Sequence, residues 1–313
     1  MFRTLISLIL WPLTIIVFTF VVGGGYLFLL LFIHPEKLHP FARIICRILL
    51  ATGGQWLSVR GTPPPKKEQP YLYLFNHQSL FDSFMLAAAI PHYVTAVGAN
   101  KQFSWPVWGY LVRRYGVIPI KRRKLKAAIH SLHLVEEAVQ KRTSFIISPE
   151  GTRTLTGEMG QFKKGAFHVA KNTGITIVPV GIQGAFDAKN KNDWRLTPGI
   201  LTLHFGELIK KEEYNNMTVE QLRDFTRNKI SELIPQALFP EHESNLASPA
   251  LVTCLGKRLD FVISIDNGVM HMLSLSKVPM ISLFGPTDSE KFAPKYEKSI
   301  VLDSKKLYNT KNI

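Results

Sequence analysis

The stretch "YLYLFNHQSLFDSFMLAAAI", residues 71–90, places a short polar segment between two apolar runs. The first run, Tyr71–Phe75, is short and rich in aromatic residues, which is typical of a buried strand. The second run, Leu80–Ile90, is long enough to form a helix. Ser79 followed by Asp82 is a capping-box pattern, which predicts that this helix begins at about residue 80. The stretch therefore predicts a strand, a turn and a helix.

The turn also places His77 five positions before Asp82. On a helix, positions five apart point about 140° away from each other, so the two side chains meet only if His77 folds back from the turn. In that arrangement the imidazole is a general base, and the carboxylate fixes its tautomer. The alternative is that Asp82 only caps the helix and His77 is a polar residue at a strand end. Taken alone, the stretch favours this alternative.

Strand-like and helix-like runs alternate after residue 70, which predicts an α/β domain with a largely parallel sheet flanked by helices. The strand-like runs are Tyr71–Phe75, Tyr93–Val97, Val117–Ile120, Ser144–Ser148, Ile175–Ile182 and Ile200–Phe205. The helix-like runs are Leu80–Ile90, Leu125–Gln140, Ala166–Asn172 and Val219–Leu233. Because proline lacks a backbone N–H, Pro179 predicts that its strand is irregular or lies near an edge.

The N-terminal run Thr4–Ile33 contains no charged residue. It exceeds the roughly 20 apolar residues that span a bilayer, and it lacks the small-residue cleavage site of a signal peptide. The run therefore predicts a membrane segment. Pro12 and the triplet Gly23–Gly25 leave two forms open, a tilted span and a kinked re-entrant hairpin. Residues 38–60 are predicted to form a second helix at the membrane interface.

The chain is strongly basic, with 38 Lys and Arg, 23 Asp and Glu and a formal net charge of +15. Basic residues cluster after the apolar run, so the positive-inside rule predicts that the rest of the chain is cytoplasmic. The anionic partner is then expected to be membrane phospholipid, and no nucleic-acid-binding motif competes with this interpretation. The two cysteines, Cys46 and Cys254, provide neither a disulfide framework nor zinc-ligand spacing.

Two further segments favour an anion site. The first, "RRYGVIPIKRRKLK" at residues 113–126, has seven basic residues and no acidic one, and arginines at a strand end are suited to clamp a phosphate. The second, "FIISPEGTRT" at residues 145–154, is an apolar strand that leads into a turn. There Gly151 allows a tight bend, and Thr152 and Arg153 can surround an anion. Lys163 and Lys164 precede a helix start, another position suited to phosphate.

In this order and spacing, four blocks resemble the glycerolipid acyltransferase family, and most closely its 1-acylglycerol-3-phosphate O-acyltransferase members. The resemblance covers about residues 60–235. The blocks are Asn76 and His77 with Asp82, Gly116 with Ile118 and Arg122, Pro149 to Arg153, and Val178 to Val180. Two flanking positions depart from the family pattern, where Lys121 and Ser148 replace the usual acidic residue and Phe. The resemblance implies that His77 is the general base and Asp82 its orienter. It also implies an acceptor-phosphate and glycerol site formed by Arg122, Glu150, Gly151, Thr152 and Arg153.

The resemblance implies a reaction as well. A fatty acyl group would pass from an acyl-carrier protein or coenzyme A thioester to the free hydroxyl of lysophosphatidic acid, giving phosphatidic acid for phospholipid biosynthesis. It implies no metal and no cofactor beyond that co-substrate. Together with the positive-inside rule, it places the enzyme on the cytoplasmic face of a bacterial inner membrane. The alternative within the same chemistry is another lyso-lipid acceptor, such as a lyso-ornithine lipid.

The C-terminal stretch "LDFVISIDNGVMHMLSLSKVPMISLFGPTD", residues 259–288, predicts one βαβ unit. It resembles the sugar-nucleotide-binding half of heptosyltransferases through Asp266, Gly268, Met270 and His271. About 55 residues are far fewer than the two domains such an enzyme needs, so the tail is expected to be a remnant without glycosyl transfer. A nucleotide-sugar-binding protein is the alternative that the tail suggests. The expected domains are residues 1–62 as membrane-anchoring helices, 63–240 as the acyltransferase, 241–258 as a linker and 259–313 as the remnant.

Overall fold

The computed structural model describes residues 2–120, 125–234, 256–257, 259–265, 268–284, 288–304 and 306. The chain divides into two compact units, Met1–Pro235 and Gln236–Ile313.

Seven strands form the sheet of the first unit. They are β1 (Gln55–Arg60), β2 (Tyr71–Phe75), β3 (Val94–Ala99), β4 (Ile118–Ile120), β5 (Ser144–Ile147), β6 (Thr176–Gln183) and β7 (Gly199–Phe205). Their order across the sheet is β1-β7-β6-β2-β5-β3-β4. Each neighbouring pair is parallel except β6 and β7. The predicted α/β class with a largely parallel sheet is confirmed.

Helices cover both faces of this sheet. Those of the first unit are α1 (Phe2–Val17), α2 (Leu27–Phe32), α3 (Pro35–Thr52), α4 (Asp82–Ala89), α5 (Trp108–Arg114), α6 (Leu125–Gln140), α7 (Gly165–Thr173), α8 (Ala185–Ala188), α9 (Lys211–Tyr214) and α10 (Val219–Leu233). Along β2, Tyr71 and Tyr73 join one buried cluster, whereas Leu72 and Leu74 join another. Because alternate side chains of a strand point to opposite faces, both faces of the central strand are buried.

The predicted helix over residues 38–60 is wrong in about its last third. The helix is α3, which ends at Thr52, and residues 55–60 form the edge strand β1. The chain turns at Gly53 and Gly54, and Gly54 has φ +76°, a conformation that favours glycine. Two consecutive glycines are a helix stop signal, and the apolar residues beyond them belong to a strand.

The strand that contains Pro179 lies inside the sheet, paired with β2 on one side and β7 on the other, so the edge alternative does not apply. The predicted irregularity is present. Beyond the Val180–Phe205 pair, the two chains next meet at Ile177 and Ile209. The three residues 206–208 therefore lie opposite only two, 178 and 179. This bulge lets the sheet accommodate a residue without a backbone N–H.

The apolar N-terminus forms one helical run, Phe2–Phe32, which is 31 residues long and apolar enough to cross a membrane. Pro12 lies inside α1 without ending it, and the three glycines lie in a π-helical segment, Phe18–Tyr26. The helix therefore continues through both predicted break points, and the re-entrant hairpin does not form. On α3, Phe41, Ile44 and Ile48 form an exposed apolar stripe.

The second unit contains the three-stranded parallel sheet β10-β9-β8. Its strands are β8 (Val262–Ile265), β9 (Met280–Phe284) and β10 (Ser299–Asp303), and its helices include α11 (Gly268–Ser274) and α12 (Ser289–Phe292). The predicted strand–helix–strand order is thus present. The small core consists of Val262, Met270, Val278, Met280 and Phe284. Asp266, from the sequence prediction, lies outside the described residues, and His271 is exposed.

Candidate active site

His77 and Asp82 form a direct contact in the loop between β2 and α4. His77 Nδ1 lies 2.7 Å from Asp82 Oδ2. The Asp82 side chain is fully buried, whereas the His77 side chain is 23% exposed. An ionised carboxylate only accepts hydrogen bonds, so we assign the proton to Nδ1, which leaves Nε2 as an acceptor. The predicted fold-back of His77 onto Asp82 is therefore present.

The Asp82 carboxylate is also held by backbone amides. Gln78 N donates to Oδ2 at 2.7 Å, and Ser79 N donates to the same oxygen at 3.0 Å. This is half of the predicted capping box. The other half is missing because the Ser79 hydroxyl donates to the carbonyl of Lys189 at 2.8 Å, and the helix begins at Asp82 rather than at residue 80. Asp82 thus orients the imidazole and fixes the loop at the same time.

Residues 76–81, between β2 and α4, form the candidate catalytic loop, and Glu150 accepts two backbone hydrogen bonds, one of them from this loop. Its Oε1 accepts from His77 N at 2.7 Å, and its Oε2 accepts from Gly160 N at 2.9 Å. Thr154 N donates to the His77 carbonyl at 2.8 Å. Burial raises the pKa of the Glu150 carboxyl, and the two amide hydrogen bonds oppose that effect. Each carboxylate oxygen of Glu150 therefore accepts one backbone hydrogen bond, and together they connect the segment at His77 with the segment at Gly160.

On its other side the catalytic loop is tied to the segment that follows β6. The Asn76 side chain donates to Ile182 O at 2.9 Å and accepts from Ile182 N at 2.7 Å. Gln78 Oε1 accepts from Phe186 N at 3.3 Å. Together with the Ser79–Lys189 bond, these contacts position residues on either side of His77. No motif in the sequence predicts a role for Gln78 or for Lys189.

The other predicted anion-binding residues lie in the loop that follows β5. Because β2 and β5 are adjacent and parallel, this loop and the His77 loop lie at the same edge of the sheet. Gly151 has φ +74°, and a Cβ there would lie 3.0 Å from Lys163 Nζ. Thr152 is exposed and Arg153 is half-buried. Arg122 lies outside the described residues.

Two cationic side chains near this loop have no hydrogen bond or ion pair within the described part of the chain. They are Arg153 and Lys163. By contrast, Lys164 forms an ion pair with Glu220. Arg114 donates to the carbonyls of Leu30 and Leu31, at the C-terminal end of the apolar helix, where a positive charge is favourable. Lys164 and Arg114 are therefore engaged by the protein itself.

An apolar cavity of about 240 Å³ lies beside the catalytic loop. Its lining residues come from the apolar helix, from α3 and from the start of α4. They are Trp11, Thr14, Ile15, Phe18, Leu49, Leu50, Leu80, Phe81 and Phe84. One of these lining residues, Leu80, is only three positions after His77 in the sequence. Within the described residues, no group of three or more His, Cys, Asp or Glu side chains is placed to hold a metal ion.

Two family models match the chain. The model described as Acyltransferase matches residues 57–183. That range begins within β1, ends with β6 and includes all the predicted site residues. The model described as Glycosyltransferase family 9 (heptosyltransferase) matches residues 210–313. This second match begins well before residue 259, where the predicted remnant starts, and it includes α10 of the first unit.

Similar proteins agree with the first model. The chain is 33% identical over 210 residues to a 1-acyl-sn-glycerol-3-phosphate acyltransferase of Cocos nucifera, covering 64% of this chain and 68% of the relative. It is 32% identical to the chloroplastic 1-acyl-sn-glycerol-3-phosphate acyltransferase BAT2 of Brassica napus, but it spans only 47% of that protein.

A solved structure shares the fold. The crystal structure of the 1-acyl-sn-glycerophosphate acyltransferase PlsC from Thermotoga maritima matches with a TM-score of 0.64 at 22% identity, covering 74% of this chain and 95% of PlsC. Because the Cocos nucifera relative is at least 30% identical across more than two thirds of its own length, this chain belongs to the 1-acyl-sn-glycerol-3-phosphate acyltransferase family.

Proposed function

We propose that the chain transfers a fatty acyl group from an acyl thioester to the free hydroxyl of lysophosphatidic acid, giving phosphatidic acid. The observation that carries the proposal is the 2.7 Å contact between His77 Nδ1 and Asp82 Oδ2 in a chain of this family. The contact leaves Nε2 free to accept a proton, and the 23% exposure of the His77 side chain gives a substrate access to it. Thioesters of acyl-carrier protein and of coenzyme A both satisfy this chemistry.

The proposed reaction has His77 as general base. Nε2 takes the proton of the acceptor hydroxyl while the hydroxyl oxygen bonds to the thioester carbonyl carbon. The C–S bond then breaks, and the leaving thiolate takes the proton from the imidazolium. The buried Asp82 carboxylate stabilises the imidazolium between the two steps and keeps the ring in one orientation. The chain's own side chains supply the acid–base chemistry.

The phosphate of the acceptor is proposed to bind beside Gly151. Arg153 and Lys163 are cations near that glycine that lack a partner within the described residues. A guanidinium matches two phosphate oxygens at once, and an ammonium adds a point charge. The family resemblance adds Arg122 and Thr152 to this proposed site. Glu150 contributes by fixing the loop, since both of its oxygens accept from backbone amides.

The apolar parts of the site suit a lipid substrate. We propose that the cavity between the apolar helix and Leu80, Phe81 and Phe84 accepts an acyl chain, since its lining is apolar and adjacent to the catalytic loop. The exposed apolar stripe of α3 and the apolar helix are proposed to hold the enzyme in the membrane where such lipids partition. The positive-inside argument supports the cytoplasmic face of a bacterial inner membrane.

The test is acyl transfer by purified protein with a labelled acyl donor. Acyl-coenzyme A and acyl-carrier protein are supplied separately, and the acceptors are lysophosphatidic acid and a lyso-ornithine lipid. We expect labelled phosphatidic acid from the unchanged protein. His77→Ala is expected to lower the turnover by at least about 100-fold, because general-base catalysis contributes that much or more. His168→Ala, an exposed histidine on α7, is the matched control and should leave turnover unchanged.

Two outcomes would contradict the proposal. Near-normal turnover in His77→Ala would remove this residue from the chemistry. Product from the lyso-ornithine lipid and none from lysophosphatidic acid would assign a different acceptor to the same site. Circular dichroism of His77→Ala should match that of the unchanged protein, since the His77 side chain is partly exposed and its ring nitrogen makes one hydrogen bond.

A further inference from the structure

Lys189 lies at the edge of the candidate active site, in the segment that follows β6. Its carbonyl accepts from the Ser79 hydroxyl at 2.8 Å, so its backbone is tied to the catalytic loop two residues from His77. Lys189 is only 7% exposed. A lysine this deeply buried is uncommon, because removing an ammonium from water is costly unless an anion compensates it.

The Lys189 ammonium has a single hydrogen-bond acceptor within the described residues. Nζ donates to the carbonyl of the next residue, Asn190, at 2.6 Å. An ammonium has three donors, and a neutral carbonyl does not neutralise its charge. Within the described part of the chain, two N–H donors and the positive charge of the Lys189 ammonium therefore remain available at the edge of the catalytic loop.

The acidic groups nearby are already engaged. Asp82 accepts from His77 and from two amides. Asp193 is held by Arg195 at 2.8 Å and by Arg3 at 3.2 Å. The site thus lacks a free carboxylate for Lys189 within the described residues.

Positive charge also surrounds Lys189. Burial lowers the pKa of the Lys189 ammonium, and the neighbouring charges of Arg153 and Arg3 lower it further, whereas Asp193 raises it. Arg153 is itself without a hydrogen-bond partner among the described side chains. Lys189 and Arg153 both belong to segments tied to the His77 loop, through Ser79 and through Thr154 N, and an anion bound there would stabilise both cations.

We propose that Lys189 binds the acceptor's phosphate together with Arg153 and so determines specificity for a phosphorylated acceptor. This inference rests on the proposed function. Lys189 lies outside the four sequence blocks, ten residues after Pro179, and it reaches the site because β6 ends beside the catalytic loop. The donor's phosphate groups offer the same chemistry, and the experiment below separates the two sources.

The test compares Lys189→Gln, Lys189→Arg and Lys191→Gln by steady-state kinetics of the full chain. The KM for lysophosphatidic acid, the KM for acyl-coenzyme A and kcat are measured for each protein. Lys189→Gln should raise the KM for lysophosphatidic acid about tenfold or more, which is the usual effect of losing one charged hydrogen bond, with kcat and the donor KM unchanged. Lys189→Arg should restore most of the affinity. Lys191, exposed and two residues away, is the matched control, and its variant should behave like the unchanged protein.

Each alternative outcome has a defined meaning. A raised donor KM with a normal acceptor KM would place the donor's phosphate on Lys189 and overturn the proposal. A fall in kcat and in the unfolding midpoint without a change in either KM would make Lys189 purely structural. If Lys189→Gln does not fold, Lys189→Met retains the apolar stem and must give the same rise in acceptor KM. If the unchanged protein does not acylate lysophosphatidic acid, both the proposed function and this inference are wrong. If it does, but Lys189→Gln has an unchanged KM for lysophosphatidic acid, only this inference is wrong.

Discussion

At the scale of single residues, the position of His77 is set from three directions. Its N–H donates to Glu150, its carbonyl accepts from Thr154, and its ring contacts Asp82. The general base proposed here must reach a hydroxyl within about 3 Å and needs this fixed position, because small displacements cost much of the rate. We therefore expect Glu150 to act as a positioning residue through the backbone of His77.

Glu150→Gln tests this role. Glutamine keeps one acceptor oxygen but turns the other into an N–H₂ group that faces a backbone N–H. One buried amide, either His77 N or Gly160 N, then loses its acceptor. We expect the free energy of unfolding to fall by about 1–3 kcal/mol, measured by denaturant unfolding in detergent. The kcat should fall as well, with little change in acceptor KM.

The same variant should change the pH dependence of stability. The folded-state pKa of Glu150 is raised by burial, so the native state holds this proton more tightly than the unfolded state. Stability then falls as the pH rises from the ordinary carboxyl pKa through the raised one, and Glu150→Gln should remove that slope. Glu158→Gln, exposed on the same loop, is the control. Equal effects of the two variants would show that Glu150 does not position His77.

At the scale of elements, the sequence predicts best where apolar periodicity is strong. β2, α6 and α10 have the predicted bounds residue for residue. β1 was missed because it is an edge strand with exposed Trp56 and Val59, so its pattern does not mark a buried face. Of the two alternatives predicted from Pro179, the irregular strand is the one observed, because a bulge in the neighbouring chain accommodates a proline inside the sheet.

In the site as well, contacts between residues close in sequence are easier to predict than contacts between distant ones. His77 and Asp82 are five residues apart, and their contact is readable from a local turn. The partners of Asn76 and Ser79 lie 106 and 110 residues along the chain. Such contacts depend on which strands are neighbours in the sheet, and local sequence patterns do not specify that order. Lys189 was missed for this reason.

One face of α1 carries three polar contacts to the loop before β7. Arg3 pairs with Asp193 at 3.2 Å, and Trp11 Nε1 donates to the Trp194 carbonyl at 2.7 Å. Between them, Ser7 Oγ accepts from Leu196 N at 2.8 Å. Positions 3, 7 and 11 are each four residues apart, so they lie on the same side of the helix. The first turns of the apolar helix therefore pack on the catalytic unit.

Ser7→Ala tests this packing. Ser7 is fully buried, and the change leaves the Leu196 amide without an acceptor. We expect the free energy of unfolding to fall by about 1–3 kcal/mol, the cost of one unsatisfied buried donor. Thermal unfolding in detergent measures it, and Ser104→Ala, at the exposed end of the 3-10 turn Asn100–Ser104, is the control. Unchanged stability in Ser7→Ala would mean that α1 does not rest on this loop in solution.

At the scale of the whole molecule, the two units differ in the size of their sheets and buried cores. The first unit has a seven-stranded sheet with buried clusters on both faces. The second has three strands and a small core, and Ile263, Ile265 and Leu275 are exposed. The Acyltransferase family model matches residues 57–183, which lie within the first unit. Acyl transfer is therefore assigned to the first unit.

Deletion of residues 246–313 tests this assignment. All the described residues of the candidate site, and α10, precede the cut. We therefore expect the shortened chain to fold and to acylate lysophosphatidic acid at a rate close to that of the full chain, measured with the labelled donor.

A second truncation supplies the control, because the glycosyltransferase match begins at residue 210 and includes α10. Leu222 and Ile230 of α10 are fully buried in the same cluster as Leu72 and Phe167 of the acyltransferase domain. Fully burying such a side chain contributes about 1.5–3 kcal/mol, so a chain that ends at residue 210 should not fold stably. Folding and activity at 210 would place the true boundary before α10. Loss of activity on cutting at 245 would show that the second unit is required for acyl transfer.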